Sequence, residues 1–137
     1  SCLKECVSIV RTVALVLGKI HKAGYLYLDL KPGNVFVLTD AEGKWATELV
    51  QLFDFDSLVE EEQLRQNNLD TLRLSYTQGF AALEHQMGQV SRMGFHTDVY
   101  SVGAVLFYLI FVRKARYMIL KNQDMEIQST RTDFFGN

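Results

Sequence analysis

Tyr27-Leu28-Asp29-Leu30-Lys31-Pro32-Gly33-Asn34 is the stretch on which the reading of this 137-residue chain turns. Its Pro and Gly break any regular element, so it reads as a loop. It sets an Asp and an Asn five positions apart, at Asp29 and Asn34, where a loop can turn both side chains toward one place. Upstream, apolar residues at Leu3, Cys6, Val7, Val10, Val13, Ala14, Leu17 and Ile20 repeat at intervals of three and four, which predicts one face of a helix. Gly24 supplies its C-terminal stop. Downstream, the apolar runs Val35–Leu38 and Leu49–Phe53 flank a turn at Asp40, Glu42 and Gly43, which predicts two strands joined as a hairpin. The loop therefore lies between a helix and a small sheet.

Further along, Asp54 to Gly79 is charged and polar with little periodicity, as in Glu60-Glu61-Glu62 and Gln66-Asn67-Asn68, and reads as a long functional loop or a partly disordered one. Val99 to Val112 is apolar all round, which predicts a central helix covered on every side. Beyond Arg113 the sequence is mixed and ends at Phe134-Phe135-Gly136-Asn137 with no clear closing element. There is no internal repeat. These elements add up to an α+β chain, mainly α, with a small β-hairpin, as one domain.

Composition narrows the function. At 48% hydrophobic and 22% charged, the chain is ordinary globular material, long enough for one core. A net charge of −2 and a pI near 5.9 provide no basic field for a nucleic-acid backbone, so no nucleic-acid partner is expected. Cys2 and Cys6 lie four apart with no second pair to complete a zinc site, and read as free buried or half-buried thiols. Such thiols suit the cytoplasm. The apolar run of about 14 residues from Val99 falls short of the roughly 18 needed for a membrane span. No secretory signal is visible in the first residues.

Phosphoryl transfer needs a carboxylate to orient a hydroxyl and take its proton, with a neutral oxygen ligand nearby for magnesium. Asp29 and Asn34 are that pair of residue types. Asp54-Phe55-Asp56 follows the second strand, where an exposed carboxylate can hold a magnesium that bridges nucleotide phosphates. Two further strings follow in order: Thr77-Gln78-Gly79-Phe80-Ala81-Ala82-Leu83-Glu84 and Asp98-Val99-Tyr100-Ser101-Val102-Gly103. Singly, each is an ordinary turn, cap or strand-end sequence. Together and in this order they resemble the eukaryotic-type serine/threonine protein kinases, over roughly Leu3 to Val112. In that family the catalytic loop reads His-Arg-Asp-Leu-x-x-x-Asn and the metal motif Asp-Phe-Gly.

The resemblance implies the C-terminal lobe of a protein kinase-like fold, with residues 1–137 a partial catalytic domain. Its catalytic loop would be 27–34, its metal motif 54–56, its activation segment 54–84 and its central helix about 98–112. It implies transfer of the ATP γ-phosphate to serine or threonine of a protein substrate, with ATP and Mg2+ as cofactors. Asp29 would be the base, Lys31 would steady the moving phosphate and so contact the nucleotide, and Asn34 and Asp54 would hold magnesium. Thr77 would hydrogen-bond near Lys31 and Asp29. Asp98 would brace the catalytic loop through its backbone, and Glu84 would pair with an arginine further on. The nucleotide-binding lobe, with its Gly-rich loop and lysine, would lie before Ser1, so the isolated chain is expected to be inactive.

Four positions depart from the family pattern. Tyr27 and Leu28 stand for His and Arg, Asp56 for Gly, and Leu83 for Pro. Loss of the Arg implies that phosphorylation at Thr71, Ser75 or Thr77 is not needed as a switch. Asp56 is expected to crowd or stiffen the turn beside the metal ligand. A pseudokinase scaffold that kept the fold, and a small-molecule phosphotransferase, are the alternative readings. His21, His85 and His96 have no ligand spacing and read as surface or packing residues; Trp45 reads as a packing anchor.

Overall fold

The computed structural model describes residues 2–66 and 74–112. The C-terminal stretch, Thr71 and part of the expected activation segment lie outside the described residues. Helix α1 (Cys2–Lys22) opens the chain, with Glu5 in its first turn and Lys19, His21 and Lys22 in its last, the charge order that its dipole favours. It ends at Gly24, whose φ of 90° lets the chain turn away at no steric cost. The buried stripe is Cys6, Ile9, Val10, Val13 and Leu17, whereas Leu3, Val7 and Ala14 are exposed. The predicted face is thus rotated: Ile9, not Val7, points into the core.

Strands β2 (Val35–Thr39) and β3 (Trp45–Leu52) form the predicted antiparallel hairpin, in register from Val35↔Leu52 to Val37↔Val50 and shifted after Val37. Asp40 shapes the turn: its Oδ1 accepts from the Glu42 and Lys44 amides, both at 2.9 Å. Val35, Val50 and Leu52 enter the core, and Trp45 packs against it as expected. Helix α1 is tied across this sheet by Thr12 Oγ1, which donates to the Thr47 carbonyl at 2.8 Å, and by a Ser8–Thr47 hydroxyl pair at 2.9 Å.

The polar stretch after Asp54 is more ordered than its composition suggests. Strand β1 (Tyr25–Leu26) pairs antiparallel with β4 (Val59–Glu60), and the short helix α2 (Glu61–Arg65) follows. The Glu61 amide donates to the Gly24 carbonyl at 2.9 Å, which extends the clip. Leu26, Leu28, Val59, Leu64 and Met93 form a second apolar cluster beneath it.

After α3 (Leu83–Gln86) comes α4 (Phe95–Phe107), continued by a π-helical turn over Tyr108–Val112. Its buried side carries Thr97, Asp98, Ser101, Val105 and Leu109 and packs on α1. The other side is open: Val99, Tyr100, Phe107 and Phe111 are each more than half exposed. The expectation of a helix covered on every side is therefore corrected; an all-round apolar sequence says nothing about which neighbours reach it. Phe95–Val112, at 18 residues, is also long and apolar enough to cross a bilayer by length and composition, contrary to the shorter run counted in the sequence. Two polar residues on it, Asp98 and Ser101, are buried and hydrogen-bonded within the protein. The described architecture is α+β, mainly helical with two small sheets.

Candidate active site

The loop after β1 is built on one carboxylate. Asp98, fully buried at the start of α4, accepts from the amides of Tyr27 (to Oδ2) and Leu28 (to Oδ1), each at 2.8 Å. His21, in the last turn of α1, meets the same Oδ2 through Nε2 at 2.7 Å and stacks on Phe95. These bonds hold Leu28 at a φ of 62°, a conformation that costs a non-glycine residue about 1–2 kcal/mol. Its side chain drops into the second apolar cluster, so a hydrophobic contact occupies the position where the family pattern has an arginine.

From there the chain reverses through a 3-10 turn at Pro32–Asn34, closed by the Asn34 amide on the Lys31 carbonyl at 3.0 Å. This turn is the reason a spacing of five brings the two side chains together. Asn34 Nδ2 donates to the Asp29 carbonyl at 2.8 Å and to Asp29 Oδ2 at 3.1 Å. Thr77 Oγ1 donates to Asp29 Oδ1 at 3.2 Å, so both carboxylate oxygens are held in place. Lys31 is half-buried and its ammonium makes no hydrogen bond or ion pair among the described residues. The Asn34 carbonyl accepts from the Phe53 amide at 2.9 Å, which brings the second motif alongside the first.

Asp54 follows, exposed, with a φ of 63°. The expected crowding by Asp56 is not seen: the left-handed residue is Asp54 itself, and Asp56 is exposed with its amide 3.3 Å from Asp54 Oδ1. Among the described residues no three His, Cys, Asp or Glu side chains gather as a metal cluster. The donors on offer are one amide oxygen and one carboxylate, at Asn34 and Asp54. Hard oxygen donors in small number suit magnesium, which keeps most of its shell as water or phosphate oxygen.

Glu84 has a nearer partner than expected. Thr97 Oγ1 donates to Glu84 Oε1 at 3.0 Å, and His96 Nε2 lies 3.5 Å from the same oxygen. His96 is otherwise a surface residue, and His85 a packing one, as read. His21 is neither, because it completes the Asp98 network; its position six residues before Tyr27 gave no signal of this. The hydroxyl of Tyr27 was also missed, and it donates to the Phe53 carbonyl.

His85 is buried and its Nε2 has no hydrogen-bond partner among the described residues. Burial is the main influence, and it pushes the imidazole below its ordinary value of 6.5, against the raising effect of the Ser75 and Leu74 carbonyls. The unfolded chain therefore takes up a proton first as pH falls below 6.5, which favours unfolding until the folded imidazole protonates too. Thermal unfolding followed from pH 8 toward about 5 should show a falling midpoint that is shallower in His85→Leu. Parallel curves would mean that His85 makes no contribution.

A helix-bounded loop that pairs an aspartate with an asparagine, beside a strand-ending Asp-Phe pair, supplies the residue types that phosphoryl transfer uses. A family profile described as the protein kinase domain matches residues 3–134, and the chain belongs to the protein kinase family. It is similar to ribosomal protein S6 kinase alpha-2 of Mus musculus, with 27% identity over 109 residues, which is 78% of this chain and 14% of that protein. The chain thus spans about a seventh of the length of that relative. No solved structure matches it.

Proposed function

We propose that residues 1–137 are the C-terminal lobe of a serine/threonine protein kinase domain, with ATP and Mg2+ as cofactors and a protein hydroxyl as acceptor. The observation that carries this reading is the doubly held Asp29 carboxylate, bonded by Asn34 on one oxygen and Thr77 on the other. A base fixed in this way can orient a serine or threonine hydroxyl and take its proton as the oxygen attacks the γ-phosphorus and ADP leaves. Lys31, with no described partner of its own, is available to the transferred phosphate. Asn34 and Asp54 would hold magnesium, which when bound neutralises charge on the nucleotide phosphates. The catalytic loop is 27–34, the metal motif 54–56, and 54–84 the activation segment. The lobe that binds the nucleotide would come from sequence before Ser1, and the cytoplasm is the compartment.

The testing experiment is transfer of labelled γ-phosphate from ATP to a generic protein, with and without Mg2+, by a protein that includes the upstream sequence. Label on serine and threonine is the expected result. Label confined to a small molecule would point to a metabolite phosphotransferase. A folded protein that neither transfers phosphate nor is stabilised by ATP would be a scaffold, and the enzymatic reading would fall.

A further inference from the structure

His85 lies in α3 with 2% of its surface exposed, and its Nε2 has no hydrogen-bond partner among the described residues. A buried polar atom without a partner is unfavourable, and an aliphatic side chain would fill the same space without that penalty. What the ring touches is the stretch that leads to Thr77. It meets the Tyr76 ring with centroids 5.9 Å apart and planes at 65°, and the carbonyls of Leu74 and Ser75 lie close enough to act on the imidazole. Thr77, next in the chain, donates from Oγ1 to Asp29 Oδ1 at 3.2 Å.

The two sides of this contact are held unequally. On α3, Glu84 accepts from Thr97 Oγ1 at 3.0 Å, and Gln86 Nε2 donates to the Ala81 carbonyl at 2.7 Å. The Thr77 carbonyl accepts from the Phe80 and Ala81 amides at 3.2 and 3.1 Å, which fixes Thr77 from its C-terminal side. Among the described residues, no hydrogen bond joins the backbone of 74–76 to another backbone group; Leu74 packs on the second apolar cluster and Tyr76 on His85. Burial disfavours a charged imidazole here and outweighs the Ser75 and Leu74 carbonyls and the charges of Asp98 and Asp29, which favour one. The remaining charges nearby give little help: Glu84 is shared by Thr97 and His96, and Arg92, on the 3-10 turn packed against α3, is exposed. A proton on the ring is therefore accommodated by admitting water, and the less tied side, 74–76, is the one that moves.

We infer that His85 is a positioning residue: while uncharged it supports residues 74–76 from beneath and so sets Thr77 on the Asp29 carboxylate, and when protonated it releases them. Its part in phosphate transfer rests on the kinase reading; the release does not. Leucine at this position keeps an apolar support and removes the titration, and Tyr76→Ala removes the support from the other side at a half-exposed residue.

The test compares wild type with His85→Leu and Tyr76→Ala in the full-length protein, at about pH 7.5 and about pH 5.5. It follows hydrogen exchange of the Phe80 and Ala81 amides, which report on the Thr77 carbonyl, beside that of the α4 amides, each relative to its intrinsic rate, together with kcat for phosphate transfer. In wild type, acidification should speed exchange at Phe80 and Ala81 by about tenfold, the size set by one proton taken up on release, and these amides should exchange faster than those of α4. His85→Leu should stay near wild type at the higher pH and lose this response, and kcat should fall on acidification at least about twofold further in wild type than in the variant. Tyr76→Ala should raise exchange at Phe80 and Ala81 several-fold already at the higher pH, and it keeps the test open where His85→Leu does not fold. Equal acid responses in wild type and His85→Leu, in exchange or in kcat, overturn the assignment. Exchange at Phe80 and Ala81 only at the α4 rate does so too, since the opening is then global, as does a Tyr76→Ala protein with wild-type exchange. If exchange behaves as expected but wild type transfers no phosphate, the release stands and the kinase reading fails. If wild type transfers phosphate and exchange responds alike in both proteins, the reverse holds. No transfer together with equal exchange overturns both.

Discussion

Asp98→Ala should destabilise the domain by about 3–5 kcal/mol, the range for removing one partner from a buried charged network. The substitution leaves the Tyr27 and Leu28 amides without an acceptor inside the protein, and takes the counterpart from His21. It also frees Leu28 from the bond that holds it at a positive φ. Urea unfolding followed by circular dichroism reads the effect directly as a lower midpoint. Asp98→Asn should lie between wild type and alanine, because an amide offers one oxygen to two donors and turns an NH2 toward the other. A loss below about 1 kcal/mol for alanine would mean that water replaces the carboxylate and that the network contributes little.

Asp29→Asn should act on rate and leave stability nearly alone. The asparagine keeps an oxygen for one of its two side-chain partners and is almost the same size, but it cannot accept the proton of an attacking hydroxyl. A fall in kcat of about 10²–10⁴ is the size expected for loss of a positioned general base. The KM for ATP should hardly change, since the lost interaction belongs to the transition state. Steady-state kinetics of the two proteins side by side would settle it, and a change under about fivefold would remove Asp29 from the role of base.

The pairing of Asp29 with Asn34 was legible because its signal is local. Asp29 and Asn34 are five positions apart and a proline-initiated turn brings them together, so spacing and turn chemistry sufficed. Helix α1 was legible for the same reason, through its period. Its inward face was partly misjudged, since the choice between Val7 and Ile9 is made by distant elements that a period cannot register. The β1–β4 pair escaped notice because each strand has two residues and the partners are joined only in space, as Tyr25 and Glu60 are, 35 positions apart. The same holds for His21 and Asp98, separated by 77 positions. The order of motifs along the chain gave the family, and the bonds that lock them depended on the fold.

The small clip formed by β1 and β4 has a topological meaning. Asp29, Lys31, Asn34 and Asp54 all lie on the length of chain between Leu26 and Val59, whose ends that clip fastens together. The chemical groups thus sit on one closed loop, with its closure entropy already spent in a four-residue ladder and the Gly24–Glu61 bond. A lesion that opens the clip anywhere along it would slacken every one of these groups at once. On the proposed reading, the chemistry would be carried as a cassette.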